Sequence, residues 1–275
     1  MSMQLQRVAG IEVGIETVGG ADDPAVLHLH GFQVDHRVLR DPMERVYTAC
    51  PGWRRVYVDV PGFGIAPPSA AVGSSDEALA LVFALLDEVG GGRPAAIVGQ
   101  SWGGYLAHAA AALRPDAVAG IALLCPMTVP EHAARDVPEV PPVEIPADIA
   151  AGADEADLDL FREIAFVVDA EQFGFFRSAV LPAVRAADPD ALERISGAYA
   201  FTDPPQTVFA GPSLIVAGRH DRIVGYRDAW RLAERLPRAT YAVLDGAGHH
   251  AHLEREAETA ALLRGWLADV AAAAR

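Results

Sequence analysis

Ala95-Ala96-Ile97-Val98-Gly99-Gln100-Ser101-Trp102-Gly103-Gly104 decides how this chain is read. A short apolar run with strand character stops at a G-x-S-x-G match, and a helical pattern follows at once. With 25 Gly in 275 residues and the serines available, such a match arises by chance about 0.07 times, so its setting matters more than the letters. A sharp turn from strand to helix crowds its neighbours, so its flanking positions must be small, and it holds the serine hydroxyl out at the C-terminal edge of the strand. The helix N-terminus behind that hydroxyl favours developing negative charge.

Outward from this turn, strand patterns alternate with helical ones. Strands are expected at Ala25 to His30, Arg54 to Val60, Ala95 to Gly99 and Val118 to Leu124. Helices are expected around Val38 to Ala49, Ser75 to Val89 and Gly103 to Leu113, with Ser75 as a cap. The rhythm resumes with a strand from Ser213 to Ala217, a helix from Tyr226 to Arg235, a strand from Thr240 to Leu244 and a helix from Glu254 to Ala271. This predicts an α/β fold: a mostly parallel central sheet with helices on both faces. Residues 1–126 and 211–275 would form that core, and 127–210, Pro-rich at first and then helical in pattern, would be a mostly helical lid inserted between two strands. Seven of the ten Phe fall inside the insertion; they read as its ordinary core or, more sharply, as the inner face of a lid over an apolar pocket.

A serine hydroxyl needs a base to take its proton and a third group to orient that base. Gly246-Ala247-Gly248-His249 follows a strand and offers an imidazole at the same sheet edge. The neighbours His250 and His252 give a metal-like spacing, but no second ligand group accompanies them, so no metal is expected. The His28 and His30 pair lacks the rest of a metal motif too, and His30 reads as a loop-packing residue. Asp221, after the strand Ser213 to Ala217, is the expected carboxylate; Asp245, close before His249, is its rival. Trp102 N–H, directly after the serine, and Phe32 N–H, after the strand that ends at His30-Gly31, are the expected oxyanion donors, with Gln33 second to Phe32.

Composition removes other chemistries. All 22 basic residues are Arg, and the absence of Lys and Asn excludes a Walker phosphate loop, Schiff-base catalysis, a Cys-His-Asn triad and N-glycosylation. A net charge of −15 has the wrong sign for nucleic acid or anionic lipid. Cys50 and Cys125 stand alone, so free thiols in a reducing, cytoplasmic setting are expected. No apolar stretch is long enough for a membrane span.

The whole chain resembles the α/β-hydrolase fold superfamily, in its lid-bearing esterase and lipase-like branch. His30-Gly31-Phe32, Asp59-Val60-Pro61-Gly62-Phe63-Gly64, Gly99 to Gly104, Gly218 to Asp221 and Gly246 to His249 carry the resemblance. It implies oxyanion donor, turn, nucleophile, acid and base at those places, in the order Ser101, Asp221, His249, and a lid after the sixth strand. It implies a hydrolase without cofactor, acting on an ester-like bond of a small, largely apolar molecule through an acyl-enzyme. Serine at position 101 argues against the epoxide hydrolase and dehalogenase branches, which place Asp there. Proline iminopeptidases share Ser-Trp-Gly, and carbon–carbon bond hydrolases would need an Arg such as Arg162 or Arg177 for a substrate carboxylate; both stay open. So does a non-catalytic ligand-binding protein on the same fold. The expected base must be neutral, so activity should fall as acid protonates His249.

Overall fold

In a computed structural model describing residues 2–274, the decisive stretch forms the central strand of an eight-stranded sheet. The first half contains β1 (Gln4–Val8), β2 (Ile11–Val18), β3 (Ala25–Leu29), α1 (Arg37–Ala49), β4 (Arg54–Asp59), α2 (Ser75–Gly90), β5 (Ala95–Gln100), α3 (Trp102–Leu113) and β6 (Val118–Leu124). The strands lie in the order β1-β2-β4-β3-β5-β6-β7-β8, where β7 is Ser213–Gly218 and β8 Ala239–Leu244. From β4 to β8 every neighbour is parallel. Every residue of β3, β5 and β7 is buried, as strands covered on both faces must be. On the helical side, α3 buries Ala107, Ala109, Ala110 and Ala111 fully, so small side chains let its axis lie close to the sheet.

The antiparallel hairpin of β1 and β2 is absent from the sequence reading. Ala9 and Gly10 both have positive φ, 49° and 85°, which joins Val8 to Ile11 through a two-residue turn. Only Val8 of β1 is buried, so this edge strand carries no core periodicity to read.

Two helix ends also differ. Ser74, not Ser75, caps α2: its hydroxyl accepts from Glu77 N–H at 3.1 Å. Ser75 turns inward, where its hydroxyl accepts from the Trp102 indole N–H at 2.9 Å and donates to the Tyr199 carbonyl at 2.7 Å. The helix read from Glu254 is broken at Arg255 into α10 (Ala251–Glu254) and α11 (Glu256–Ala273), and α9 is Arg227–Ala233.

Between β6 and β7 the described residues form no strand. They fold as α4 (Ala147–Ala150), α5 (Glu155–Ile164), α6 (Ala170–Phe175), a π-helical turn at Phe176–Val180, α7 (Leu181–Ala186) and α8 (Pro189–Gly197). Phe161, Phe173 and Phe176 pack on one another with ring centroids 5.1 to 5.8 Å apart and form this segment's own core.

Candidate active site

Ser101 sits between β5 and α3 with φ 53° and ψ −116°, a left-handed region that an L residue holds only when its surroundings insist. The packing leaves no room for side chains around it. A Cβ on Gly99 would lie 2.3 Å from the Gly103 carbonyl oxygen, and one on Gly103 would lie 2.2 Å from that of Leu29. Ser101 N–H donates to Leu124 O, and Ser101 O accepts from Tyr105 N–H and Met127 N–H. Its hydroxyl does not cap α3 and is left for other use.

His249 follows β8 on a loop whose Gly248 N–H donates to Glu254 and whose His249 N–H donates to Ile164 O. His249 Nδ1 lies 2.9 Å from Asp221 Oδ2. The other carboxylate oxygen, Asp221 Oδ1, accepts from Ile223 N–H at 2.8 Å and Val224 N–H at 3.1 Å. Burial works to raise the Asp221 carboxyl; the facing His249 and the two N–H groups outweigh it and hold the carboxyl below its ordinary value. Asp245 is exposed and pairs with His220 at 3.2 Å instead.

On its other side, His249 Nε2 lies 3.3 Å from Gln100 Nε2. An amide nitrogen can only donate, so in this contact His249 Nε2 accepts and Nδ1 carries the proton toward Asp221. That is the tautomer a general base requires. No bond joins Ser101 Oγ to His249 here; the Gln100 amide occupies the lone pair. Ser101 and His249 nevertheless line one cavity of about 290 Å³, with Gln100, Phe32, Leu160 and Tyr199 among its walls. The insertion contributes aliphatic Leu160, Ile164, Val180 and Val184 together with polar His132, Arg135, Glu163 and Tyr199, while Phe161, Phe173 and Phe176 are absent from the wall. A larger cavity of about 460 Å³ shares Met127 with this one and holds none of the sequence-assigned residues.

Trp102 N–H, in the first position of α3, and Phe32 N–H have no acceptor among the described residues. Gln33 has φ 68°, the turn that brings this loop back toward the cavity it lines with Phe32.

His132 and His250 line the same cavity, whereas His28, His30 and His252 are committed elsewhere. His30 Nδ1 donates to Gly31 O and Nε2 accepts from Val60 N–H. His28 contacts Val56 O and the Tyr47 hydroxyl. His252 Nε2 donates to Val38 O, so His249, His250 and His252 do not converge on one point. The side chains that could crowd a metal ion are Cys125, Asp221 and His249, and separately Asp35, His36 and Asp59. In the second group both Asp59 oxygens are taken: His36 donates to one at 2.8 and 2.9 Å, and Ile65 N–H donates to the other at 3.1 Å.

Three residues beside the site escaped the sequence reading: Gln100, Arg135 and Glu254. Glu254 Oε1 accepts from Phe166 and Val167 N–H at 2.6 and 2.7 Å, and Oε2 from Gly248 N–H at 2.5 Å. Burial raises its carboxyl above the ordinary value against those three donors. Its place, five residues after His249 in the loop's own helix, is the one signal that could have pointed to it.

Comparison with known proteins bears on the family and the fold. The sequence pattern of the alpha/beta hydrolase family matches residues 26–262. The pimeloyl-[acyl-carrier protein] methyl ester esterase of Xanthomonas campestris is 28% identical over 257 residues, covering 89% of this chain and 95% of that protein. Polyketide synthase ThaQ of Burkholderia thailandensis is 30% identical over 257 residues, 85% of this chain but 11% of that protein. The structure of an alpha/beta superfamily hydrolase from Oenococcus oeni superposes with a TM-score of 0.85 at 21% identity, covering 98% of this chain and 99% of the other, a likeness of fold. Among the described residues no helix is long and apolar enough to cross a membrane. With its sheet order, its turn at Ser101 and a family match over most of its length, this chain belongs to the alpha/beta hydrolase family.

Proposed function

We propose that the protein is a serine hydrolase that cleaves an ester-like acyl bond of a small, largely apolar molecule through an acyl-enzyme. The observation that carries this reading is the 2.9 Å contact of His249 Nδ1 with buried Asp221, on an imidazole that shares a cavity with the strained Ser101. When substrate enters, the Gln100 amide gives up His249 Nε2 to the Ser101 hydroxyl. Ser101 Oγ then attacks the acyl carbon as its proton passes to Nε2, and Asp221 holds the resulting imidazolium. Trp102 and Phe32 N–H groups receive the oxyanion; donors of this kind contribute about 3 to 4 kcal/mol each where measured in other enzymes. His249 returns the proton to the leaving oxygen, and water, deprotonated by the same imidazole, releases the acid and restores Ser101. Residues 127–210 serve as the cap over the cavity, and 1–126 with 211–275 as the catalytic core. No cofactor is needed for these steps.

A screen of esters, thioesters, lactones, aminoacyl amides and vinylogous diketones against wild type and Ser101→Ala tests this. Turnover of the ester class, lost in the variant, is expected. Turnover of amides or diketones in its place moves the protein to the iminopeptidase or carbon–carbon hydrolase branch. Labelling of Ser101 by a phosphonate without repeated turnover of any class indicates a ligand-binding protein.

A further inference from the structure

Among the described residues Arg135 is the one arginine that lines the cavity with Ser101 and His249. Its guanidinium is held rigidly: Nε donates to Val129 O at 2.8 Å, Nη1 to Ile223 O at 2.9 Å, and Nη2 to Pro130 O at 2.9 Å and toward Met127 Sδ at 3.4 Å. All of these acceptors are uncharged. Among the described residues no carboxylate pairs with it, and one Nη1 hydrogen is left without a partner. Burial pushes the guanidinium down from its ordinary value and outweighs the more distant Tyr199, Asp221, Asp228 and Glu131, none of which is hydrogen-bonded to it.

Its surroundings fit the same picture. Tyr199 lines the same cavity, and its hydroxyl has no partner among the described residues; its titration feels the charge of Arg135 after the larger effect of burial. The anion closest in role, Asp221, is already taken by His249, Ile223 and Val224. The cavity's own acidic residue, Glu163, is exposed. Arg162 is engaged by Glu155 and Asp159, and neither it nor Arg177 lines the cavity. Met127 joins the two centres: its N–H donates to Ser101 O at 3.0 Å and its sulfur touches Arg135.

We infer that Arg135, with the Tyr199 hydroxyl, is a carboxylate-binding site, so that the substrate is an acyl ester carrying a second, ionised carboxylate about one methionine side chain away from the bond that is cut. This rests on the serine hydrolase reading for the bond and on Arg135 alone for the anion. In a chain of net charge −15 a free anion is repelled at long range, and a fixed, half-buried cation inside the site works against that repulsion. The three carbonyls fix the guanidinium in the wall of the cavity and leave it one N–H to offer.

Monoethyl adipate and ethyl hexanoate, matched in length and differing in the terminal charge, test the site. Wild type is expected to favour the acid ester in kcat/KM by about tenfold or more. Arg135→Gln should lower that ratio by about tenfold or more, and Arg135→Lys, which keeps the charge but not the fork, should keep part of it. The same two esters titrated into Ser101→Ala, with and without Arg135→Gln, report the preference as binding and need no turnover. A ratio near one in wild type, or a preference that survives Arg135→Gln in either assay, overturns the inference while leaving the hydrolase reading intact. Failure of wild type to cleave either ester or to react with a phosphonate overturns the hydrolase reading instead, and the titration still decides the carboxylate site. Should Arg135→Gln not fold, Arg135→Met takes its place: loss of the preference supports the inference and full retention overturns it.

Discussion

The turn at Ser101 and the insertion between β6 and β7 are built on opposite principles. At the turn, geometry is forced by contacts that allow no alternative: Gly99 against Gly103, Gly103 against Leu29, and a serine held at φ 53°. The insertion consists of helices of 4 to 10 residues, fastened by a Phe cluster and by single bonds to the core. The lesson is that a nucleophile can be written into local sequence, because sterics of adjacent residues create it. A pocket wall cannot, because it exists only after the short helices have found their places.

The largest effect should follow from breaking the turn. Gly103→Val would drive a branched side chain into the Leu29 and His30 carbonyls, so little soluble, folded protein is expected on expression and circular dichroism. Folded, active Gly103→Val protein would mean that the turn is not forced.

Next comes the contact that gives the imidazole its tautomer. Asp221→Asn should keep the fold but lower kcat by about 10⁴, the loss seen in the serine protease template, since an amide can present a donor to His249 Nδ1. A loss below tenfold would shift the orienting role to another residue.

The core, unlike the insertion, also holds the buried imidazoles. Burial depresses His28 to about 3 and His252 to about 4, against 6.5 in the unfolded chain. Groups with lowered imidazole values stabilise the fold fully above pH 6.5, and that share is lost as pH falls toward 4 because the unfolded chain binds the extra protons. At pH 5 each should have forfeited about 2 kcal/mol, visible as a lower Tm than at pH 7. His252→Gln should flatten its part of that slope; an unchanged slope would mean that His252 is not neutral in the fold.

The smallest effect lies where the two regions meet. Glu254→Gln puts an amide donor against Gly248 N–H or against the Phe166 and Val167 N–H groups, loosening the loop that carries His249. A drop of about tenfold in kcat with little change in KM is expected. A rise in KM alone would make Glu254 a fastener of the insertion and nothing more.

This division also explains what could be read in advance. The parallel strands and their helices were legible because a buried strand must be apolar along its length, as Ala95 to Val98 is. The hairpin was not, since Gln4, Leu5, Gln6 and Arg7 lie exposed on an edge. Ser101, Asp221 and His249 each follow a strand, and that placement is what made them candidates. Arg135 comes before any regular helix of a Pro-rich stretch, and its partners lie as far away as Ile223; no local pattern announces it. Gln100 is hidden inside the motif itself, where any residue is allowed. The spacing of the Phe residues left both readings open, because it is the same whether they face a pocket or, as Phe161, Phe173 and Phe176 do, one another.

Intact-mass analysis after exposure to an alkyl phosphonate tests the central claim most directly, because the probe needs both a nucleophile and its base. One adduct on wild type, mapped to the peptide containing Ser101, absent in Ser101→Ala and strongly slowed in His249→Ala, is the predicted result. Equal labelling of all three proteins, or none of the wild type, would contradict it.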